Sequence, residues 1–365
     1  MAFNEEMEKK LQNLPIVGPY KKYLLGLEPE INLADNLNHY FCDDTYPPFE
    51  SVTLKQYYTK ILIEISPDLS FLEKKLEREV DIFFTNGALA GTEQILHAFC
   101  RESEKVLTFS PTFPFYKDIC LRKYLDFKVI PLEGENLTDL NIKAAEKFAP
   151  KVIILCDPNN PIGTRFKANH IEKILIRFKN SLIIIDETYV EFSENASNLR
   201  FLKDYKNVLV LRGLSKGWGM ASLRLCAIVG SKNLIEYLKR YCVAYPVSLL
   251  SIKAAITRLA DEKDKVFSSW KSIRQERDNM IEFLKKHSIF SKIYPSETNF
   301  VCCSTSYFKE IKEGLLQQGI LVEDISHILP SSLRVTIGKK AENDLFQKVF
   351  LKISAQLTEN SAGDK

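Results

Sequence analysis

The chain has 365 residues, 45% hydrophobic and 27% charged, enough for a large core and ordinary for a globular protein. Fifty basic against 47 acidic side chains leave a net charge of +3, too little to call for a polyanion, and no basic stripe interleaved with aromatics marks a nucleic-acid surface. The acidic start Met1–Glu6 has no signal-peptide core, no apolar run reaches membrane-spanning length, and the eight cysteines form no C-x-x-C. These features predict a soluble, cytoplasmic protein with buried thiols and neither a zinc site nor a membrane partner.

Residues 1–30 read as an arm, with a short helix Glu5–Leu14 followed by Pro15, Gly18 and Pro19. From about Phe49, compact apolar runs alternate with helical stretches. The expected strands are Asp81–Thr85, Lys105–Phe109, Phe127–Pro131, Val152–Cys156, Ser181–Ile185, Val208–Arg212 and Leu225–Val229. Between them lie the expected helices Thr92–Arg101, Asn141–Phe148, His170–Lys179 and Leu234–Tyr241. Continuous apolar strands separated by helices predict an α/β domain over residues 31–245, with a mostly parallel seven-stranded sheet buried on both faces. After Pro246 the pattern changes to one long helical region, Leu249–His287. Short strands near Phe300–Cys303 and Leu333–Ile337 follow, with helices Phe308–Gln318 and Glu342–Thr358. This predicts a smaller α+β domain over residues 246–358 and a flexible tail over residues 359–365.

Polar and glycine residues gather at the C-terminal ends of the strands, the edge where open α/β sheets bind ligands. Thr85-Asn86-Gly87-Ala88-Leu89-Ala90-Gly91 turns a strand into a helix whose free N–H groups suit a phosphate, although alone such a turn is usually structural. In Asp157-Pro158-Asn159-Asn160-Pro161-Ile162-Gly163-Thr164, two prolines and a glycine fix the backbone and hold the Asn160 amide in one direction, as a donor to a phenolate would be. Asp186 ends the buried run Ile183–Ile185, where a carboxylate needs a partner. A protonated pyridine nitrogen would serve, and so would a local turn. Lys216, in Arg212-Gly213-Leu214-Ser215-Lys216-Gly217-Trp218-Gly219, sits where an amine can be desolvated into a nucleophile, with Ser215 and Arg224 as further phosphate donors. Arg334, in Leu333-Arg334-Val335-Thr336, suits a substrate carboxylate or phosphate, or a structural ion pair.

Together the ordered strings Asn86-Gly87-Ala88, Ser110-Pro111-Thr112-Phe113, Asn159-Asn160-Pro161, Asp186-Glu187-Thr188-Tyr189, Ser215-Lys216, Leu223-Arg224 and Leu333-Arg334 resemble the class I/II aminotransferases of fold type I, and most closely their histidinol-phosphate aminotransferase branch. The resemblance spans roughly Tyr20 to Phe350. It implies pyridoxal 5′-phosphate as cofactor and Lys216 as the Schiff-base lysine that also moves the substrate proton. It further implies Asp186 at the pyridinium nitrogen, Asn160 and Tyr189 at the phenolic oxygen, and Phe113 on the ring face. Ala88, Leu89, Ser215 and Arg224 would hold the phosphate, and Arg334 the anionic group of the substrate. It also implies a homodimer with shared active sites, in which Tyr46 reaches the cofactor phosphate and Tyr20 the substrate of the partner subunit.

Three departures bear on the substrate. Gly213 stands where the family usually has a hydroxyl residue. Asn36-Leu37-Asn38-His39 replaces the usual wall over the substrate, where Asn36 is expected to bind. Glu323 occupies a position where the branch often carries an arginine, and its charge would repel a phosphate dianion. The expected reaction is therefore transfer of an amino group between L-glutamate and a small phosphorylated ketone, such as dihydroxyacetone phosphate rather than imidazole-acetol phosphate. The alternatives are decarboxylation of a phosphorylated amino acid, as in the threonine-phosphate decarboxylases, and a non-catalytic binding module.

Overall fold

A computed structural model describes residues 47–243 and 246–363 of the chain. The arm expected over residues 1–30, with its helix Glu5–Leu14, lies outside the described residues.

Seven strands form the main sheet: β1 Val80–Thr85, β2 Lys105–Ser110, β3 Asp126–Pro131, β4 Val152–Cys156, β5 Leu182–Asp186, β6 Val208–Gly213 and β7 Cys226–Ser231. Each falls within two residues of its expected bounds. Their order is β1-β7-β6-β5-β4-β2-β3. Strand β7 runs antiparallel to both neighbours, and all other pairings are parallel. The apolar runs are continuous because successive residues serve opposite faces. Ile183 and Ile185 pack into one core with Leu107, Ile153 and Val210, while Leu182 and Ile184 pack into another with Val106, Ile154 and Leu209. Each such side chain, fully buried, contributes about 1.5–3 kcal/mol.

The topology decides where chemistry can gather. Strands β1, β6, β5, β4 and β2 all end at one edge, and β7, running the other way, begins there. Thr85 and Gly213 both stand opposite Cys226.

The expected single helical region Leu249–His287 is in fact two helices, Leu249–Asp261 and Lys263–Lys285, broken at Glu262 (φ −116°, ψ 3°). The break redirects the chain between two cores. Ile252, Ala255 and Leu259 pack with Leu54, Tyr58 and Leu62 of helix Pro47–Ile65 in the main core. The second helix begins in that core with Val266 and Trp270, then contributes Met280 and Leu284 to a separate one.

That separate core underlies a four-stranded antiparallel sheet, β8 Lys292–Ile293, β9 Phe300–Ser304, β10 Glu323–Asp324 and β11 Ser332–Thr336, in the order β10-β11-β9-β8. Val301, Cys303, Leu333 and Val335 face helices Phe308–Gln317 and Lys340–Gly363. Strands β8 and β10, two residues each, are too short to leave a periodic signal. The last helix runs past its expected end at Thr358, because no glycine or proline interrupts the chain between Lys340 and Ala362. Among the described residues, no helix is long and apolar enough to cross a membrane.

Candidate active site

The loops at the common strand edge converge. After β1, Gly87 adopts φ +89° and ψ 161°, a conformation available to glycine, and starts helix Ala88–Phe99. The N–H groups of Ala88, Leu89 and Ala90, in its first turn, have no partner within the helix. Arg224, just before β7, has φ +52°, and its guanidinium lies against Gly87. A Cβ on Gly87 would stand 2.5 Å from Arg224 Nη2. A helix N-terminus and an arginine fork thus share a cradle that any side chain at residue 87 would fill, the chemistry of a phosphate site. Gly87→Ala is expected to weaken cofactor binding by about 10- to 100-fold, read from equilibrium dialysis, because it strains the backbone and displaces the guanidinium.

Asp186, at the end of β5, is 6% exposed. Its Oδ1 accepts from the Thr188 N–H at 3.0 Å and the Thr188 hydroxyl at 2.5 Å, and its Oδ2 accepts from the Tyr116 hydroxyl at 2.7 Å. Burial pushes the Asp186 carboxyl upward, and the Thr188 and Tyr116 hydrogen bonds pull it back. Gly213 has a packing reason: a Cβ there would come within 2.9 Å of the Thr188 hydroxyl that serves Asp186.

Asn160 and Tyr189 are both 8% exposed, from the loops after β4 and β5. Arg334, on β11, donates from Nη1 to Asn160 Oδ1 at 2.7 Å and lies over the Phe300 ring at 5.2 Å. With its oxygen occupied, the Asn160 amide has its N–H₂ left to donate. The Tyr189 ring packs edge-on to Phe300 at 5.3 Å, and burial raises its phenol. Lys216 Nζ is 5.9 Å from the centre of the Tyr189 ring. Its ammonium is lowered by burial, and further by Arg334 and Arg224, which enlarges the neutral, nucleophilic fraction. The Lys216 loop is fixed from below by Trp270, whose Nε1–H donates to the Gly217 carbonyl at 2.6 Å.

The structure therefore brings together Ala88, Leu89, Asn160, Asp186, Tyr189, Ser215, Lys216, Arg224 and Arg334 at one sheet edge. Half-buried Phe113 joins them through the loop after β2, its ring 5.5 Å from that of Tyr116. Tyr20, Asn36 and Tyr46 lie outside the described residues. Sequence reasoning missed Tyr116 and the supporting role of Thr188. A tyrosine three residues after Phe113, on a buried helix face, was a readable signal, since a buried phenol must find a partner. Glu323 is exposed and stands directly opposite Arg334 in the β10–β11 register, so both side chains leave the sheet on one face.

The chain matches the family described as aminotransferase class I and II over residues 45–349. It belongs to that family. A histidinol-phosphate aminotransferase of Cytophaga hutchinsonii is 30% identical over 310 residues, covering 83% of this chain and 88% of the relative. The solved histidinol-phosphate aminotransferase of Sinorhizobium meliloti, in complex with pyridoxal-5′-phosphate, matches with a TM-score of 0.71 at 20% identity, over 86% of this chain and 83% of that one. The L-threonine-O-3-phosphate decarboxylase of Porphyromonas gingivalis matches with a TM-score of 0.66 at 23% identity, over 84% and 93%. At these identities the two solved structures speak for the fold.

As a class I and II aminotransferase, the chain is a pyridoxal-phosphate enzyme. Two observations fit that group: the Gly87–Arg224 cradle for its phosphate, and the buried Asp186 with room for one more donor on Oδ2.

Proposed function

We propose that this aminotransferase, histidinol-phosphate aminotransferase-like in sequence, moves an amino group between L-glutamate and a small phosphorylated ketone, with dihydroxyacetone phosphate as the compact representative. The observation that carries this reading is Arg334. Its guanidinium reaches from β11 across Phe300 to Asn160 and keeps a buried Nε unpartnered, poised for an anionic group. Glu323, its cross-strand neighbour, narrows what else that arginine can hold, because a carboxylate beside it disfavours a second dianion contact.

In this reading Lys216 Nζ anchors the cofactor at rest and, once released by the incoming amine, carries the proton of the substrate α-carbon. Asp186 fixes the ring nitrogen, Asn160 and Tyr189 hold the phenolic oxygen, and Phe113 covers the ring face. Ala88, Leu89, Ser215 and Arg224 hold the phosphate. The bound cofactor supplies the electron sink for the α-carbon. The two sheets support a cofactor domain over residues 31–245 and a small domain over residues 246–358. The proposal includes a homodimer in which Tyr46, Tyr20 and Asn36 complete the shared sites.

Excess L-glutamate added to the cofactor-loaded protein is expected to replace the Lys216-dependent absorbance band with that of the amino form of the cofactor. Dihydroxyacetone phosphate should then reverse the change. Comparable turnover with imidazole-acetol phosphate would sink the narrower substrate reading. Release of an amine and carbon dioxide from a phosphorylated amino acid, with no keto acid, would identify a decarboxylase instead.

A further inference from the structure

We infer that Tyr116 is a positioning residue for the reaction: its hydroxyl donates to Asp186 Oδ2, keeps that carboxylate ionised and aimed, and thereby holds the proton on the ring nitrogen of the cofactor. The inference rests on the reading that the ring nitrogen meets Asp186.

The acceptor count carries it. An ionised carboxylate offers about four acceptor positions. In Asp186 the two on Oδ1 are taken by the Thr188 N–H and hydroxyl, and one on Oδ2 by Tyr116. A single position is left, on the oxygen that Tyr116 already holds. The ring nitrogen and Tyr116 therefore share Oδ2, and the strength of one hydrogen bond sets the basicity felt by the other.

Among the described residues, no cation forms an ion pair with Asp186. The titratable groups facing Asp186 are Tyr116 on helix Phe115–Arg122, Cys156 at the end of β4, Cys226 at the start of β7, and Glu187 and Tyr189 on its own segment. None is a cation. Hydrogen bonds alone offset the cost of a buried carboxylate until the cofactor arrives. Tyr116 is suited to the task. It is 1% exposed, and burial together with Asp186 raises its phenol well above the ordinary range, so it stays a donor. Its ring also lies edge-on to Phe113 at 5.5 Å, which sets the direction of the hydroxyl.

If the hydroxyl is removed, Oδ2 becomes more basic and the shared proton moves from the ring nitrogen toward Asp186. A ring nitrogen without its positive charge repels a proton on the Lys216 nitrogen less, so that nitrogen titrates higher. The experiment loads wild type and Tyr116→Phe with pyridoxal phosphate labelled with nitrogen-15 in the ring. It records the nitrogen chemical shift and the pH titration of the Lys216-dependent absorbance. The expected result is a pyridinium shift in wild type that moves toward unprotonated pyridine in Tyr116→Phe, with the titration midpoint raised by about one pH unit. The rate of the glutamate half-reaction should fall about tenfold while KM changes by less than about twofold. A Tyr116→Phe protein with the wild-type shift and midpoint overturns the inference, even if its stability has dropped. A ring-fluorinated tyrosine at residue 116, a stronger donor of almost the same size, covers the case in which the phenylalanine variant fails to fold. Its midpoint should move down, and an unmoved or raised midpoint counts against the inference. A wild-type protein that binds no cofactor removes the underlying reading and the inference together.

Discussion

Lys216→Ala is expected to lose the cofactor absorbance band that depends on the lysine and to slow amino transfer by about 10⁴-fold, the upper range for a positioned proton-transfer group. The variant should still bind cofactor, because the Gly87–Arg224 cradle, Asn160 and Asp186 do not involve the lysine. Lys216→Arg should fail equally, since a guanidinium stays protonated and cannot act as an amine. Small primary amines added to the alanine variant should restore part of the rate. The pH dependence has a definite sign. Burial, Arg334 and Arg224 all lower the Lys216 ammonium, so its neutral form is available at lower pH than for a surface lysine. The rate at which cofactor-free protein captures the cofactor aldehyde should rise with pH and level off below the ordinary lysine range. Replacing Arg334 with leucine removes one of the two cations and should move that plateau to higher pH. Turnover within tenfold of wild type in Lys216→Ala would end the assignment of this residue.

The second large effect is on stability. Arg212, 2% exposed, donates from Nη1 to Glu187 at 3.2 Å and from Nη2 to Glu191 at 2.9 Å, and both carboxylates are buried. Glu187 also accepts from the Ser197 hydroxyl and the Asn198 N–H. Arg212→Leu leaves Glu191 in the core without its cation and Glu187 with only Arg165, 3.9 Å away, at a cost of about 3–5 kcal/mol, lowering Tm by on the order of 10 °C. Arg212→Lys should recover little, because one ammonium cannot reproduce a fork that serves two partners. Burial already pushes the Glu191 carboxyl upward and Arg212 holds it down. Without the arginine the group rises further, so its protonated form is favoured in the folded state. The deficit of the variant is then greatest at neutral and alkaline pH and narrows as the pH falls toward about 5, measured by thermal melts across that range. The lesion also reaches the active site. Gly217 packs so closely on Glu191 that a Cβ would stand 2.6 Å from the Cβ of Glu191, so the floor of the Lys216 loop is this ion pair.

The main sheet was legible because its strands are buried on both faces. A run such as Ile183-Ile184-Ile185 has no alternation to confuse with a surface strand, and the polar residue that ends it marks the ligand edge. The site was legible because its residues sit at those ends in local strings. Tyr116 could be flagged as a phenol in need of a partner, but the partner could not be read, because it is Asp186, 70 positions away. The reason for Gly213 was hidden for the same cause: it is a space requirement of Thr188, visible once β5 and β6 are side by side. The break at Glu262 has no helix-breaking residue to announce it, since it follows from two cores lying in different directions.

The antiparallel strand β7 has a consequence for how the chain is made. Strand β1 is the first strand of the main sheet in chain order, yet its sheet partner is the last, roughly 140 residues later. On a ribosome adding about 5–20 residues per second, β1 waits on the order of 10 s for that partner. The cradle with Gly87 on one side and Arg224 on the other, the proposed phosphate site, is assembled in the same event. Cofactor capture at this cradle is thus expected to report that the main sheet has closed. A chain that stops short of Arg224 lacks one half of the clasp, and the ligand is expected to add its binding free energy only to molecules in which β1 and β7 have met.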